Sequence, residues 1–166
     1  MKHFLLAVTL TLISTFSFSQ SYLQKGGNQL NLGVGFSNWG VPVYFGFDHS
    51  ISNDITLGLE ASYRSYNEDY KDNHYKHNIF GFSGNGNYHL NRVLKIPKNF
   101  DLYGGLNIGF YSWSSPNNYN GTHNSGLGLG AQIGGRVKLS QNVGLNLEFG
   151  GGNAFSGGKF GLTIKV

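Results

Sequence analysis

The feature that most constrains the fold is a two-residue alternation of apolar and polar side chains. It is clearest at residues 126–139, GLGLGAQIGGRVKL, where apolar or small residues alternate from Leu127 and the positions between them include Gln132, Arg136 and Lys138. A period of two is that of an extended strand, whose successive side chains point to opposite faces. Two faces this different predict a strand that separates two different environments.

The alternation recurs eight times, with polar or glycine-rich breaks between the runs. The charged residues within the runs all lie on the polar face: Asp48, Glu60, Arg64, Asp101, Arg136, Lys138, Glu148, Lys159 and Lys165. A charge on the lipid-facing side of a membrane strand costs about 2–4 kcal/mol near the bilayer midplane. The sorting therefore predicts an apolar face that meets hydrocarbon and a charged face that lines a lumen.

Eight such strands must close on themselves, because a sheet edge cannot stay unpaired in lipid. The predicted fold is all-β, an eight-stranded antiparallel up-and-down transmembrane β-barrel. Outer loops are predicted at residues 37–42, 67–77, 114–126 and 151–158, and turns at the opposite end at residues 50–54, 91–99 and 140–142. A soluble barrel of lipocalin type would reverse the faces, and its cavity would then have to hold dozens of large apolar side chains.

The charged residues on the polar faces predict how the lumen is filled. Acidic and basic residues nearly balance there, and an eight-stranded barrel is just wide enough for side chains to fill. Since an unpaired ion would be costly to bury, we expect a packed core of ion pairs. The alternative is a charged constriction that selects small solutes, formed by Glu60, Arg64, Arg136, Lys138 and Glu148.

Composition excludes several other classes of protein. Charged residues make up 12% of the 166 residues, about half the usual share of a soluble domain. Cysteine is absent, which excludes both a small domain stapled by disulfides and a lipoprotein modified on cysteine. The formal net charge of +4 is too small and too dispersed to indicate a nucleic-acid partner.

The first residues, MKHFLLAVTLTLISTFSFSQ, have the layout of a secretory signal peptide. A short basic start precedes an apolar run and a small-residue end, which predicts cleavage after Ser19 or Gln20. The apolar run is shorter than the roughly 18–20 residues of a spanning helix, so an uncleaved anchor is disfavoured. We predict a signal peptide at residues 1–19 and a barrel domain at residues 20–166.

With these features, the chain resembles the small eight-stranded outer-membrane barrels of Gram-negative bacteria, of the porin-like OmpX, OmpW and opacity-protein type. The last eight residues, KFGLTIKV, resemble the terminal insertion signal of such barrels through Lys159, Gly161, Ile164 and Val166. Many members end in Phe or Trp, whereas this chain ends in Val166.

The resemblance implies a place in the outer membrane, contact with outer-membrane lipids and lipopolysaccharide, and insertion by the barrel-assembly machinery. A role as accessory subunit of a membrane complex also fits, and no cofactor is implied. The family is functionally mixed. We therefore expect a non-enzymatic barrel whose outer loops make surface contacts, with a narrow passive channel as the alternative.

Two candidate sites lie in the predicted outer loops. His123 and Ser125 are spaced like the His-x-Ser pair of lipid A deacylases built on eight-stranded barrels, in which a neighbouring base activates a serine nucleophile. The residues that follow Ser125 differ from that motif and no acid stands at a convincing spacing, so a polar loop is favoured and no catalytic residue is predicted.

The second candidate is a metal site, with His74 and His77 as weak ligands and Asp69 and Asp72 nearby. Imidazole and carboxylate groups are common metal ligands, but a loop would not preset their geometry. Solvated loop residues are the favoured interpretation, and we predict no metal. Lys71 and Lys76 would instead contact lipopolysaccharide phosphates.

Overall fold

The computed structural model describes residues 22–70, 73–117, 119, 124–153 and 156–166. Eight strands make up nearly all of it: β1 (Asn28–Ser37), β2 (Val43–Ser52), β3 (Ile55–Tyr70), β4 (Asn73–His89), β5 (Phe100–Ser114), β6 (Gly126–Lys138), β7 (Val143–Gly152) and β8 (Ser156–Lys165). A short helix, α1 (Asn91–Leu94), lies between β4 and β5. The predicted signal peptide, residues 1–19, lies outside the described residues.

The strands form one closed antiparallel barrel. Each strand pairs with the next in sequence, and β1 pairs with β8. This confirms the predicted all-β fold with eight strands in up-and-down order. Among the described residues, no helix is long and apolar enough to cross a bilayer.

The two strand faces sort as the alternation predicts. On β6, the side chains of Leu129 and Ile133 are 61% and 55% exposed on the outside of the barrel, whereas Arg136 is 3% exposed inside it. Leu106 and Ile108 on β5 are likewise exposed. The apolar residues thus form a continuous outer surface, and the charged residues point toward the barrel axis.

Aromatic side chains stand near both ends of this apolar surface. On β5, Phe100 and Phe110 are both exposed. The segment between them, at about 3.3 Å per residue on a strand tilted by about 40°, is about 25 Å tall, which matches the apolar band of outer-membrane barrels. At the same end of the barrel as Phe110, the rings of Tyr63 on β3 and Phe80 on β4 pack with centroids 4.9 Å apart.

The structure corrects one predicted loop. The sequence predicts a polar loop at residues 67–77. Instead, β3 and β4 continue into this segment and pair as a hairpin from Tyr66↔His77 to Tyr70↔Asn73. Pairing of β3 with β2 stops at Val43↔Tyr63 and pairing of β4 with β5 stops at Asn78↔Ser114. The hairpin therefore projects beyond the rim, and we call this end of the barrel the hairpin end.

Aromatic packing explains why these polar residues form strands. His77 is fully buried, and its ring centroid lies 4.6 Å from that of Tyr119 and 5.8 Å from that of Trp113. Tyr75 and Tyr66 pack against the same group of rings. A small aromatic core on one face of the hairpin thus overrides the local preference of a charged sequence for a loop.

The opposite end, which we call the terminal end, carries the first described residues and the end of β8. There the predicted turn at residues 91–99 contains α1, and the side-chain amide of Asn91 donates to the carbonyl of Phe100 (2.7 Å). Before β1, a short segment folds into the mouth of the barrel, where Tyr22 and Leu23 are buried. This segment precedes the first alternating run, and the sequence pattern did not predict its burial.

Candidate functional site in the barrel lumen

Arg136 organises the first of two charged clusters in the lumen. Its Nη1 donates to Oδ2 of Asp101 (2.9 Å) and its Nη2 to Oδ2 of Asp48 (3.2 Å). The guanidinium carbon lies 4.2 Å from the ring centroid of Tyr103. All four side chains are buried. One cation thus bridges two carboxylates from different strands and stacks on an aromatic ring, an arrangement that suits the flat guanidinium group.

Amide and imidazole side chains complete the hydrogen bonding of these two carboxylates. Gln29 and Asn31, both on β1, donate to Asp48 over 2.8 Å and 2.9 Å. Nδ1 of His89 lies 2.8 Å from Oδ1 of Asp101. Buried carboxylates are tolerated when such donors replace water. The cluster therefore ties together β1, β2, β4, β5 and β6 from inside.

Lys159 organises the second cluster. Its Nζ lies 2.7 Å from Oε2 of Glu60 and 2.7 Å from Oε1 of Glu148. The hydroxyl of Tyr103 donates to Oε2 of Glu148 (2.9 Å). Since Tyr103 also carries the guanidinium of Arg136 on its ring, it joins the two clusters. The lumen is crossed by one connected polar network rather than by separate ion pairs.

A glycine makes room for this central tyrosine. Gly134 pairs directly with Tyr103 across β5 and β6. A Cβ added at Gly134 would overlap the hydroxyl oxygen of Tyr103. The phenol ring therefore lies over the glycine backbone of the neighbouring strand, as aromatic residues do in designed and natural barrels. Any larger residue at position 134 would displace the ring that joins the clusters.

The space left between these side chains is small. Two cavities beside the clusters have volumes of about 30 and 20 Å³, enough for one or two waters each, since a water needs roughly 10–15 Å³ on this measure. Both are lined by Tyr44, Glu60, Glu148 and Lys159. Neither has the volume that a solute larger than water would need.

The structure brings together six of the eight residues in the predicted lumen network: Asp48, Glu60, Asp101, Arg136, Glu148 and Lys159. Arg64 lies nearer the hairpin end, where its Nη1 donates to Oγ of Ser37 (3.3 Å). Lys138 lies at the terminal end and forms no ion pair within the described part of the chain.

The sequence pattern did not identify the amide, imidazole and phenol members of the network. His89, Tyr103 and Gln29 lie on the polar faces of their runs, so the alternation carried a signal for their inward direction. Their partners lie on other strands, and the period of a single strand contains no information about which residues of other strands it meets.

The remaining sequence candidates lie at the hairpin end. Oγ of Ser125 accepts a hydrogen bond from the backbone N–H of Trp113 (2.9 Å), while His123 lies outside the described residues. His74 and His77 lie on opposite faces of β4: His74 is exposed beside Asp69, and His77 is buried with Nδ1 2.8 Å from Oγ of Ser115.

The two histidines therefore do not face a common point. Lys71 and Asp72 lie outside the described residues, and Lys76 is exposed. Within the described ranges, no group of three or more His, Cys, Asp or Glu residues is placed to hold a metal ion.

The residues of the predicted insertion signal lie on β8 and at its end. Lys159 and Gly161 point into the barrel, and Val166 is exposed. β8 closes the barrel by pairing with both β1 and β7. The role of these residues in insertion stays a prediction.

No protein-family model matches the chain, and no curated protein matches it in sequence. Solved structures match its fold. The outer membrane protein OprG from Pseudomonas aeruginosa has a TM-score of 0.70 at 10% identity, with 88% of this chain and 99% of that chain covered. The N-terminal β-barrel domain of Pseudomonas aeruginosa OprF has a TM-score of 0.60 at 9% identity, with 86% and 98% covered.

Neisserial surface protein A has a TM-score of 0.58 at 13% identity, with 84% of this chain and 95% of that chain covered. At these identities the similarity concerns the fold alone. It confirms the resemblance to the small eight-stranded outer-membrane barrels.

Proposed function

We propose that the chain, which has the fold of the small eight-stranded outer-membrane barrels, is an integral and non-enzymatic protein of the bacterial outer membrane. The exposed apolar surface, about 25 Å tall between aromatic residues, supports this, because a soluble protein rarely exposes an apolar patch of more than a few hundred Å². The barrel would anchor the protein in the membrane, and the hairpin end would contact other molecules at the cell surface.

The packing of charged side chains in the lumen supports the non-channel part of this proposal. Arg136 and Lys159 each link a carboxylate on the neighbouring strand to a carboxylate on a distant strand, and the cavities beside them have the size of a few waters. A solute could pass only if several charge-assisted hydrogen bonds broke together. This favours a structural barrel over the narrow passive channel.

The hairpin end is proposed to face the outside of the cell, since outer-membrane barrels have short periplasmic turns and longer outer loops. Lys76 on the hairpin would then lie within reach of lipopolysaccharide phosphates, and contact of Lys71 with these phosphates stays a prediction from the sequence. The strand that ends at Val166 would carry the signal read by the barrel-assembly machinery. A role as accessory subunit of a membrane complex fits the same arrangement, and no cofactor is proposed.

The non-enzymatic part rests on the surroundings of Ser125. Its hydroxyl accepts a backbone hydrogen bond from Trp113, which favours a structural role for this serine. A change in the mass of lipid A on overexpression of the protein would overturn this part of the proposal.

Planar-bilayer recording of the purified protein tests the closed lumen. We expect no stepwise conductance from the wild type. A variant that replaces both clusters with alanine (Asp48, Glu60, Asp101, Arg136, Glu148 and Lys159) removes every ion of the two clusters together and should conduct small ions. Conductance steps from the wild type that equal those of this variant would instead favour the passive channel.

A further inference from the structure

A third cavity, separate from the two charged clusters, lies at the terminal end of the barrel. Its volume is about 340 Å³, near the lower limit of the roughly 300–1,000 Å³ typical of small-molecule sites. We infer that it binds a small oxyanion of the phosphate class, held by Lys98, Lys138 and Lys165, which all line it.

The segment before β1 forms one wall of this cavity. The backbone N–H of Gly26 donates to the carbonyl of Ser50 (2.7 Å), and that of Ser50 donates to the carbonyl of Gly27 (2.9 Å), which fixes the segment against β2. Tyr22 and Leu23 are 3% and 5% exposed and line the cavity. The wall is therefore a built part of the barrel mouth.

The inner face of β7 is shaped to receive Tyr22. A Cβ added at Gly144 would overlap the hydroxyl oxygen of Tyr22, so only glycine leaves room for the phenol at this level. Gly144 pairs with Lys138 on β6 and with Thr163 on β8. Tyr22 thus lies at the same level as the lysines that line the cavity.

Backbone hydrogen bonds fix the main chain of two of the three lysines. The backbone N–H of Lys138 donates to the carbonyl of Asn99 (2.7 Å), and that of Lys165 donates to the carbonyl of Asn142 (2.8 Å). Nζ of Lys165 lies 4.2 Å from the ring centroid of Tyr22. Lys98 approaches from the segment between α1 and β5.

The charge of this group is only partly compensated, unlike that of the lumen clusters. Val166, which carries the terminal carboxylate, also lines the cavity, whereas no described Asp or Glu does. Within the described ranges, no carboxylate of an Asp, a Glu or the chain terminus lies within 4.0 Å of the ammonium groups of these three lysines. In the lumen, by contrast, Arg136 and Lys159 each have two carboxylate partners. Three lysines beside one carboxylate leave a net positive charge around the cavity, which attracts an anion.

Phosphate fits this arrangement better than a neutral ligand does. Lysine ammonium groups bind phosphate as point charges, and a doubly charged oxyanion can accept from several of them at once. The source could be a free phosphate compound or the headgroup of a phospholipid in the adjoining leaflet, since both present the same oxyanion.

Isothermal titration of the folded protein in uncharged detergent with inorganic phosphate tests the inference. We expect saturable binding at one site, which each of Lys138→Gln and Lys165→Gln weakens by about tenfold, the usual effect of losing one charge-assisted hydrogen bond. Lys98→Gln should act in the same direction, and because it lies outside the strands it serves if a strand-end variant fails to fold.

The matched control is Lys95→Gln, which removes one charge from an exposed lysine at the same end that does not line the cavity. It should leave phosphate affinity unchanged. No binding to the wild type, or an equal loss in Lys95→Gln, would overturn the inference. Repeating the titration in nanodiscs with and without phosphatidylglycerol identifies the source: competition by this lipid assigns the site to a headgroup, and unchanged affinity assigns it to a free anion.

Discussion

Replacing Arg136 with methionine should lower the free energy of unfolding by about 3–5 kcal/mol, because it leaves two buried carboxylates without their cation. Asp48 and Asp101 are each 3% exposed, so bulk solvent does not reach them. Urea titration of the protein in phospholipid vesicles, followed by tryptophan fluorescence, measures the change. Arg136→Lys should recover part of it, since lysine keeps the charge but cannot make both contacts in one plane.

The matched control for this prediction is Lys138→Met. It removes a basic residue from the inner face of the same strand, at a position without an ion pair within the described ranges. We expect a change below about 0.5 kcal/mol, as for substitutions away from such networks. Equal losses in the two variants would mean that Arg136 does not organise the lumen.

Replacing Lys159 with methionine is expected to cost about 3 kcal/mol in the same assay, because Glu60 and Glu148 then face each other without the ammonium that bridges them. Both carboxylates lie 2.7 Å from Nζ of Lys159. We expect a smaller decrease in the free energy of unfolding than for Arg136→Met because this cluster is less buried, with side chains 11–18% exposed.

A triple variant separates charge from packing in this second cluster. Lys159→Met/Glu60→Gln/Glu148→Gln removes all three charges while keeping the side-chain volumes similar, and most of the lost stability should return. If the triple variant is as unstable as Lys159→Met alone, the lost stability comes from the packing of the lysine side chain. The interpretation that its ammonium stabilises the barrel by bridging Glu60 and Glu148 would then be wrong.

The fold could be predicted from sequence because its determinants are local. Leu129 and Arg136 are seven residues apart on one strand, and an odd separation on a strand places two side chains on opposite faces. The membrane requires those faces to differ strongly, so the alternation is unusually clean. Closure then follows from the need to pair every edge.

The contacts inside the barrel could not be predicted in the same way. The separation of Arg136 from Asp48 is 88 residues, and nothing in the pattern of either strand specifies that they meet. The pairing depends on how far the strands are staggered around the barrel. The burial of Tyr22 depends likewise on Gly144, which lies on a distant strand.

At the hairpin end, by contrast, the local sequence pattern predicted the wrong secondary structure. Asn67 and Asp69 alternate with charged and aromatic residues in a segment that favours a loop. Pairing with β4 and packing of Tyr75 and His77 hold it as strand instead. The result is a paired hairpin that extends beyond the rim, where the sequence alone favours a loop.

We expect the exposed apolar face of the barrel to meet lipid and its charged face to be enclosed. Since the chain has no cysteine, single spin labels at Leu129→Cys, Ile133→Cys and Leu147→Cys can be compared with a turn control, Gln141→Cys, in phospholipid vesicles. The electron spin relaxation of the three strand labels should respond to oxygen and not to a water-soluble nickel chelate, and that of the turn label should respond to the chelate. If the strand labels are as accessible to the nickel chelate as the turn label, the apolar face does not meet lipid.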